Sequence, residues 1–231
     1  MRSTTLLRSV AVAVAISICI PAQAQTQSSS SVGKSPPTHA NEHDAAADLD
    51  AGSVSRGVYR NKAFGFSCKV PEQWVLRTDE MNARDDSPSS VPAKGAGSAR
   101  SAKVLLAAFS RPPDARGEDV NDSIVIAAES VSAYPGLTEA AQYFGPLTEV
   151  AKSQDFIVDD DPYEVEIEKK LLVRGDFHKD VGTRVMHQST LAFLSHGYAV
   201  SITVIGGTDD EVEDLIDGLD FATAESAPAR K

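Results

Sequence analysis

Two histidines and an aspartate in the second half of the chain are the residues whose types and spacing could do chemistry. Asp176-x-His178 places both side chains on one face of a predicted strand, and His187 lies on the next one. Imidazole and carboxylate groups bind zinc, but a zinc site needs three or four ligands. Nothing in the sequence makes these three side chains converge. We therefore predict no metal, no cofactor and no catalytic residue, and keep a metal-dependent or hydrolytic enzyme at these residues as an alternative.

Cys68 is the one cysteine of the predicted mature chain and so the one candidate for thiol chemistry. The other cysteine, Cys19, lies in a segment predicted to be removed, so no internal disulfide can form. Phe64, Phe66, Cys68 and Val70 alternate with smaller or polar residues, which is the period of a half-buried strand, and Cys68 falls on its apolar face. A reactive thiol needs a cationic, partly exposed setting. Cys68 is therefore predicted to be a buried structural residue.

Other motifs of catalysis are missing from the sequence. There is no G-x-S-x-G, H-E-x-x-H or C-x-x-C, and no phosphate-binding glycine loop. Gly206-Gly207 precedes a predicted helix, but the acidic residues 209–211 occupy the helix start and would repel an anion. The acidic run 159–161 lacks the spacing and the glycine of a calcium loop. Both are predicted to be turns.

The elements that must position these residues are strands and helices in alternation. Trp74 is predicted to begin a return strand that forms a hairpin with 64–70 across Pro71. Thr138 is the predicted N-cap of a first helix, kinked or split at Gly145-Pro146. Thr208 and Glu211 form a capping box for a second, amphipathic helix. Further strands are predicted at 103–109, 123–131, 156–158, 163–167, 171–177, 184–193 and 198–205.

The order of these elements predicts the fold class. Strands, helix, strands and helix with short connections indicate an α+β domain with a mainly antiparallel sheet. The runs KVLLAAF (103–109) and SIVIAAESV (123–131) are continuously apolar, as in strands that are buried on both faces. The sheet is therefore expected to be covered on each side.

Composition along the chain predicts its organisation. Arg2 and Arg8, an apolar run and Ala22-Gln23-Ala24 form a signal peptide at 1–24, cleaved between Ala24 and Gln25. A lipoprotein anchored through Cys19 is the minor alternative. Residues 25–56 are predicted to be a disordered linker. A folded domain follows at 57–222, with a flexible loop at 79–102, and a disordered tail at 223–231.

The net charge excludes several classes of partner. It is −11 for the whole chain, and removing 1–24 leaves 20 basic against 33 acidic residues, a net charge of −13. Such an acidic chain is not expected to bind nucleic acid or anionic lipid. The apolar run near the start is shorter than the roughly 20 residues of a membrane-spanning helix. We predict no membrane span in the mature chain and a periplasmic or secreted location.

A series of short motifs runs through residues 57–221. They are Tyr59-x-Asn61, Phe64-Gly65-Phe66, Pro71-x-x-Trp74, the Ser123-Ile-Val-Ile strand, Tyr143-Phe144, Gly197-Tyr198-Ala199-Val200 and Leu219-Asp220-Phe221. In this order they resemble the PsbP-like fold superfamily. The resemblance implies an antiparallel sheet flanked by helices on both faces, an α/β/α sandwich. It also implies a non-enzymatic role, because members of the superfamily are mostly binding, adaptor or assembly proteins, with many uncharacterised secreted bacterial ones.

The function predicted from these observations is an exported, non-catalytic protein-binding or assembly module of the bacterial cell envelope. Its partner is expected to be an envelope or extracellular protein. The predicted interaction surface combines the turn Tyr134-Pro135-Gly136 with the loop 79–102, since exposed aromatic turns are common interface anchors. An envelope sensor or inhibitor is a further alternative.

Overall fold

The computed structural model describes residues 49–85, 102–115, 117, 119–134 and 136–221. Several sequence predictions lie outside these residues and stay predictions. They are the signal peptide with its cleavage site at Ala24–Gln25, the lipidation alternative at Cys19, the linker up to residue 48, the loop segment 86–101, Pro135 and the tail 223–231.

The described chain contains three α-helices, one short 3-10 helix and twelve strands. The helices are α1 (Thr78–Asp85), α2 (Ala140–Ser153) and α3 (Asp209–Ile216), and the 3-10 turn covers Val131–Ala133. The strands are β1 (Ser53–Ser55), β2 (Val58–Asn61), β3 (Phe66–Lys69), β4 (Val75–Leu76), β5 (Lys103–Phe109), β6 (Ser123–Ser130), β7 (Ile157–Val158), β8 (Tyr163–Ile167), β9 (Lys170–Val181), β10 (Arg184–Ser195), β11 (Tyr198–Gly206) and β12 (Leu219–Asp220).

The strands form two sheets in which every described pairing is antiparallel. The large sheet has the order β4-β5-β6-β11-β10-β9-β7, with β8 also paired to β9, and the small sheet has the order β1-β2-β3-β12. The predicted α+β class with a mainly antiparallel sheet is confirmed. The second sheet was not predicted.

Alternating side chains of the large sheet pack into separate apolar clusters on its two faces. On one face, Leu191 and Phe193 of β10 belong to the main core, which contains the apolar side chains of the small sheet and of α3. On the other face, Ala192 packs with Phe144 of α2. A Cβ atom on Gly175 would lie 2.6 Å from Phe144 Cε1, so α2 can approach β9 this closely only because that residue is glycine. The doubly buried strands expected at 103–109 and 123–131 are found as β5 and β6, whose side chains are buried almost throughout.

The predicted hairpin of residues 64–76 is wrong. β3 pairs with β2 and β12 in the small sheet, whereas β4, which follows Trp74, pairs with β5 in the large sheet. Phe64 precedes β3 and is buried in the turn. Pro71 ends β3 as expected, and Gln73 has a positive φ of 68°. The chain therefore crosses between the sheets at this connection.

The fold begins before the predicted boundary at Gly57. Leu49 packs against the main core, and β1 lies within the predicted linker. The hydroxyl of Tyr59 donates to the carbonyl of Ala51 at 3.0 Å, and Asn61 Nδ2 donates to the carbonyl of Asp50 at 2.8 Å. Such contacts from side chain to backbone leave no periodic apolar signal, so composition could not indicate them.

The predicted loop 79–102 begins as a helix instead. In α1, the side chain of Asn82 accepts from Val104 N–H and donates to Val104 C=O, both at 3.0 Å. Thr78 Oγ1 accepts from Ala107 N–H at 3.0 Å. These contacts cover the outer edge of β5 beyond its short pairing with β4. This edge of the large sheet is therefore closed to a further strand.

The two predicted helices exist with partly different details. The N-cap of α2 is Glu139 rather than Thr138, because the side chain of Gln142 closes a capping box on Glu139. Pro146 lies inside α2, and the helix is not split there. For α3, Thr208 is the N-cap as predicted, and its side chain accepts from the backbone N–H of Glu211 at 3.2 Å.

Candidate functional site

A cluster of polar side chains lies along the middle of β9 on the face that carries α3. Alternation along β9 puts Arg174, Asp176 and His178 on this face, and the register of β9 with β10 places His187 directly opposite His178. The cluster, here called the β9 polar cluster, consists of Asp159, Tyr163, Arg174, Asp176, His178, His187, Asp209 and Glu213.

Asp176 is held by two neighbours. Its Oδ1 accepts from Arg174 Nε at 2.9 Å, and its Oδ2 accepts from the hydroxyl of Tyr163 at 2.8 Å. Burial, followed by the hydrogen bond and the charge of Asp176, raises the pKa of Tyr163 to about 12. Tyr163 therefore stays a neutral donor, and Asp176 is engaged on both oxygens.

Arg174 bridges the sheet to α3. Its Nη2 donates to Glu213 Oε1 at 2.5 Å, while its Nε holds Asp176. Burial alone would lower the pKa of Arg174, but the hydrogen bonds to Glu213 and Asp176 outweigh burial and raise it. The guanidinium is charged and forms the centre of a three-residue ion network.

The histidines do not share a ligand position. His178 Nδ1 pairs with Asp159 Oδ1, and His187 Nδ1 lies 2.6 Å from Asp209 Oδ1. Asp176 and His178 lie on one face of β9, as the sequence predicts, and His187 of β10 lies on the same face. Each of them, however, contacts a different partner from another element. In the described part of the chain, no three His, Cys, Asp or Glu residues are placed to hold a metal ion.

The cluster surrounds a shallow cavity of about 250 Å³ between β9, β10 and α3. Its charged lining residues are Asp159, Arg174, Asp176, Asp209 and Glu213, together with His187. Carboxylates outnumber the cation, so the cavity repels anions and has no arrangement for stabilising negative charge on a substrate.

Replacing Arg174, the central cation of the β9 polar cluster, should lower the stability of the domain. We expect Arg174→Met to lower the free energy of unfolding by about 1–3 kcal/mol, because the half-buried Asp176 loses its half-buried partner while the more exposed Glu213 regains water. Urea unfolding of the mature chain measures the loss. Glu213→Gln is the matched variant for the exposed arm and should cost less. A loss for Arg174→Met no larger than that for Glu213→Gln would contradict the central role of Arg174.

A second polar site, missed by the sequence analysis, lies under α2. Glu129 on β6 is only 2 % exposed, and its Oε2 accepts from the hydroxyl of Tyr143 at 3.0 Å. Burial raises the pKa of Glu129, and hydrogen bonds from Tyr134 and Tyr143 oppose that rise. The feature of the sequence that could have indicated this buried carboxyl is the glutamate inside the apolar run SIVIAAESV.

The predicted interaction residue Tyr134 belongs to this buried site. It is half-buried, and its ring packs edge-to-face on Tyr143 with centroids 5.7 Å apart. Burial and its hydrogen bond to Glu129 raise the pKa of Tyr134. The neighbouring Gly136 is exposed. Because the ring of Tyr134 packs inward, it anchors the turn to α2.

Cys68 has no access to solvent. It is 0 % exposed in the main core, opposite Tyr59 and Leu219 in the small sheet. Burial raises the pKa of its thiol to about 12. A thiol in this setting is not a nucleophile, and the prediction of a buried cysteine is confirmed.

Exposed apolar side chains occur mainly on the strands at one margin of the large sheet, on both of its faces. Six large apolar residues are exposed in the described chain, and four of them lie on β7, β8 and β9. We call these four the apolar margin: Ile157 (53 % exposed), Tyr163 (42 %), Leu171 (56 %) and Val181 (40 %).

Comparisons with known proteins concern the fold alone. No family model and no curated protein matches the chain. Similar solved structures include PsbP of the cyanobacterium Synechocystis, at 13% identity and a TM-score of 0.42, covering 77% of this chain and 96% of that one. LpqN, involved in cell envelope biogenesis of Mycobacterium tuberculosis, is 15% identical with a TM-score of 0.33, covering 66% and 76%. A Pseudomonas aeruginosa protein of unknown function is 18% identical with a TM-score of 0.32, covering 43% and 67%.

The described helices include none that is both long and apolar enough to cross a membrane. The three TM-scores lie below 0.5, so these likenesses carry no argument about function. The resemblance to PsbP-like proteins that the sequence motifs indicate is also found between the structures.

Proposed function

We propose that the protein is an exported, non-catalytic protein-binding or assembly module of the bacterial cell envelope. Its signal-like start and its acidic composition support this location and a protein partner. We further propose that the layers of the domain correspond to the α/β/α sandwich of PsbP-like proteins, with the small sheet added beside α3. The turn at Tyr134–Gly136 with the segment 79–102 remains a proposed second surface.

The observation that carries the proposal is the apolar margin. Single exposed apolar residues are normal on a protein surface, whereas several of them along one margin favour an interaction site. Ile157 and Tyr163 lie on the face that carries α3 and Leu171 lies on the opposite face, all on strands at one margin of the large sheet. An interface of this kind uses an aromatic and aliphatic centre with a polar rim, and the β9 polar cluster lies beside it.

The chemistry of the β9 polar cluster supports binding over catalysis. Asp176, His178 and His187 are the residues that an enzyme would use, and each is engaged by its own partner. A metal-dependent or hydrolytic enzyme would require both histidines to leave their aspartates and turn to one ion. It remains the alternative, as does an envelope sensor or inhibitor.

Site-specific photo-crosslinking tests the proposal. A benzophenone amino acid replaces Leu171 in the full chain expressed in a bacterial envelope, and Leu76 is the matched control, since it is 43 % exposed on β4 at the opposite edge of the large sheet. We expect a discrete protein adduct at position 171 and none at position 76. Excess unlabelled mature chain should abolish the adduct, and an Ile157→Asp/Leu171→Asp chain should not. Equal adducts at both positions, or an adduct that no competitor removes, would overturn the proposal.

A further inference from the structure

The two edges of the large sheet differ in how they are protected. The β5 edge is covered by β4, by α1 and by the side chains of Asn82 and Thr78. At the other edge, β8 pairs with β9 on one side, and no described strand pairs with its other side. Natural proteins protect an open edge with proline, bulges, charge or a covering element. β8 reads Tyr-Glu-Val-Glu-Ile, without proline or bulge, so charge is the only such device within it.

A tight turn and packing on one face hold β8 in a fixed position. The hairpin to β9 closes at Glu168 and Lys169, both with positive φ (46° and 71°), which is the requirement of a tight two-residue turn. Val165 and Ile167 pack partly buried against the main core. Contacts on one face therefore fix the register and position of the strand, while its outer edge pairs with none of the described strands.

The charges on β8 select what can pair with it. Glu164 and Glu166 are exposed on the face opposite to Val165, and across the β9 pairing Glu166 lies opposite the exposed Leu171 and Glu164 opposite Val173. A second copy of this chain, paired antiparallel about Val165, would place Glu164 opposite its own Glu166. Like charges directly opposite each other destabilise a strand pair, whereas opposite charges stabilise it. The edge therefore disfavours self-pairing and favours a basic strand.

We propose that β8 is the docking strand for the protein partner and that the partner adds an extended segment with Lys or Arg at alternate positions. This rests on the proposed binding function and specifies its mode. Backbone hydrogen bonds to the outer edge of β8 supply the attachment, as in other cases of strand addition. Ion pairs with Glu164 and Glu166 supply the selection, and the apolar margin supplies buried area beside it.

The test uses the isotope-labelled mature chain and a defined probe. The probe is a capped peptide in which lysine alternates with valine, and its control carries glutamate at every lysine position. We expect the lysine peptide to shift the amide signals of residues 163–168, and the glutamate peptide to leave them unchanged. Glu164→Gln/Glu166→Gln should weaken binding by about threefold to tenfold, as expected for two opposite-charge pairs across strands. Glu72→Gln/Glu149→Gln, which removes the same charge elsewhere, should not.

Backbone pairing is separated from plain charge attraction by N-methylation. Two forms of the lysine peptide are methylated at alternate amides, one on each edge of the peptide strand. Strand addition predicts that one form loses binding and the other keeps it. Equal binding by both forms, or no amide shift on β8 up to about 1 mM peptide, a weak but measurable affinity, overturns the proposal. So does a concentration-dependent dimer with β8 protected, which would make a second copy the occupant.

These outcomes separate this inference from the proposed function. If the adduct at position 171 forms and neither the lysine peptide nor the two Gln substitutions affect it, the partner binds the apolar margin without adding a strand. In that case, the docking-strand proposal falls and the binding function stands. If the lysine peptide adds to β8 but no competed adduct forms at position 171, the edge of β8 can bind a strand, and the proposed binding of an envelope protein is contradicted.

Discussion

Replacing Phe193 by alanine is expected to lower the free energy of unfolding by about 3–5 kcal/mol, the usual cost of truncating a buried phenylalanine. Phe193 is 2 % exposed on β10 and contacts both sheets. Its ring meets Phe66 of the small sheet edge-on at 6.1 Å and Phe221 at 5.6 Å, and the Lys170 ammonium lies 4.7 Å from its centroid. Since a domain is stable by only about 5–15 kcal/mol, the loss is a large share of the total.

The effect should be local to the contact between the sheets. Hydrogen exchange of the mature chain is expected to show faster opening of β3 and of its neighbour β2 in Phe193→Ala, because Phe66 of β3 loses its ring contact with the large sheet. Phe109→Ala is the control, since Phe109 is equally buried but packs on the opposite face with Met81. Phe193→Leu keeps most of the apolar volume and should cost less than half as much as alanine. Uniform acceleration in both alanine variants would contradict the linking role of Phe193.

How much of the fold could be predicted depends on the range of the contacts involved. β9, β10 and β11 follow one another along the chain, so alternation and short turns were enough to indicate them. α3 was indicated by Thr208 and Glu211, which act within a single turn. The small sheet joins β3 to the two-residue strand β12, which lies at the far end of the domain. A strand of two residues has no period to detect, so the chain near Phe64 was predicted as a local hairpin.

In the candidate site, too, short-range contacts could be predicted from the sequence and long-range contacts could not. Alternation on β9 correctly put Asp176 and His178 on one face, and adjacency brought His187 beside them. Their actual partners, Asp159 and Asp209, come from a loop and from the start of α3. Which carboxylate reaches which imidazole depends on how these elements pack, and spacing along the sequence does not determine it. The edge position of β8 likewise depends on the pairing of the strands, since among the described strands β8 pairs with β9 alone.

The buried carboxyl of Glu129 should make stability depend on pH. In the unfolded chain, a glutamate ionises near its ordinary pKa of 4.5, whereas burial raises the pKa of Glu129 in the folded domain. Between these two values, the unfolded chain has released the proton and the folded domain still holds it. Raising the pH therefore favours unfolding in this window, and the stabilising effect of the protonated form is complete only below it.

Glu129→Gln isolates this contribution because the amide has nearly the same shape and does not ionise. We expect the stability of Glu129→Gln relative to the wild type to rise with pH from about 4.5 upward, by up to about 1.4 kcal/mol for each pH unit, and to level off above the folded pKa. Urea unfolding at a series of pH values measures the difference. The wild-type curve alone is insufficient, since burial and the charge of Glu211 also raise the pKa of Asp122.

Tyr143→Phe gives the complementary result. The hydrogen bond from the hydroxyl of Tyr143 to Glu129 Oε2 favours the ionised carboxylate and so limits the rise of its pKa. Without this bond, the pKa of Glu129 rises further, and the loss of stability extends to higher pH. Tyr143→Phe should therefore be more destabilised near neutral pH than in mild acid, the opposite slope to Glu129→Gln. The difference in stability between the double variant and Glu129→Gln should not depend on pH, because both lack the carboxyl whose pKa the Tyr143 hydroxyl shifts. A constant offset between wild type and Glu129→Gln across the series would mean that folding does not raise the pKa of Glu129.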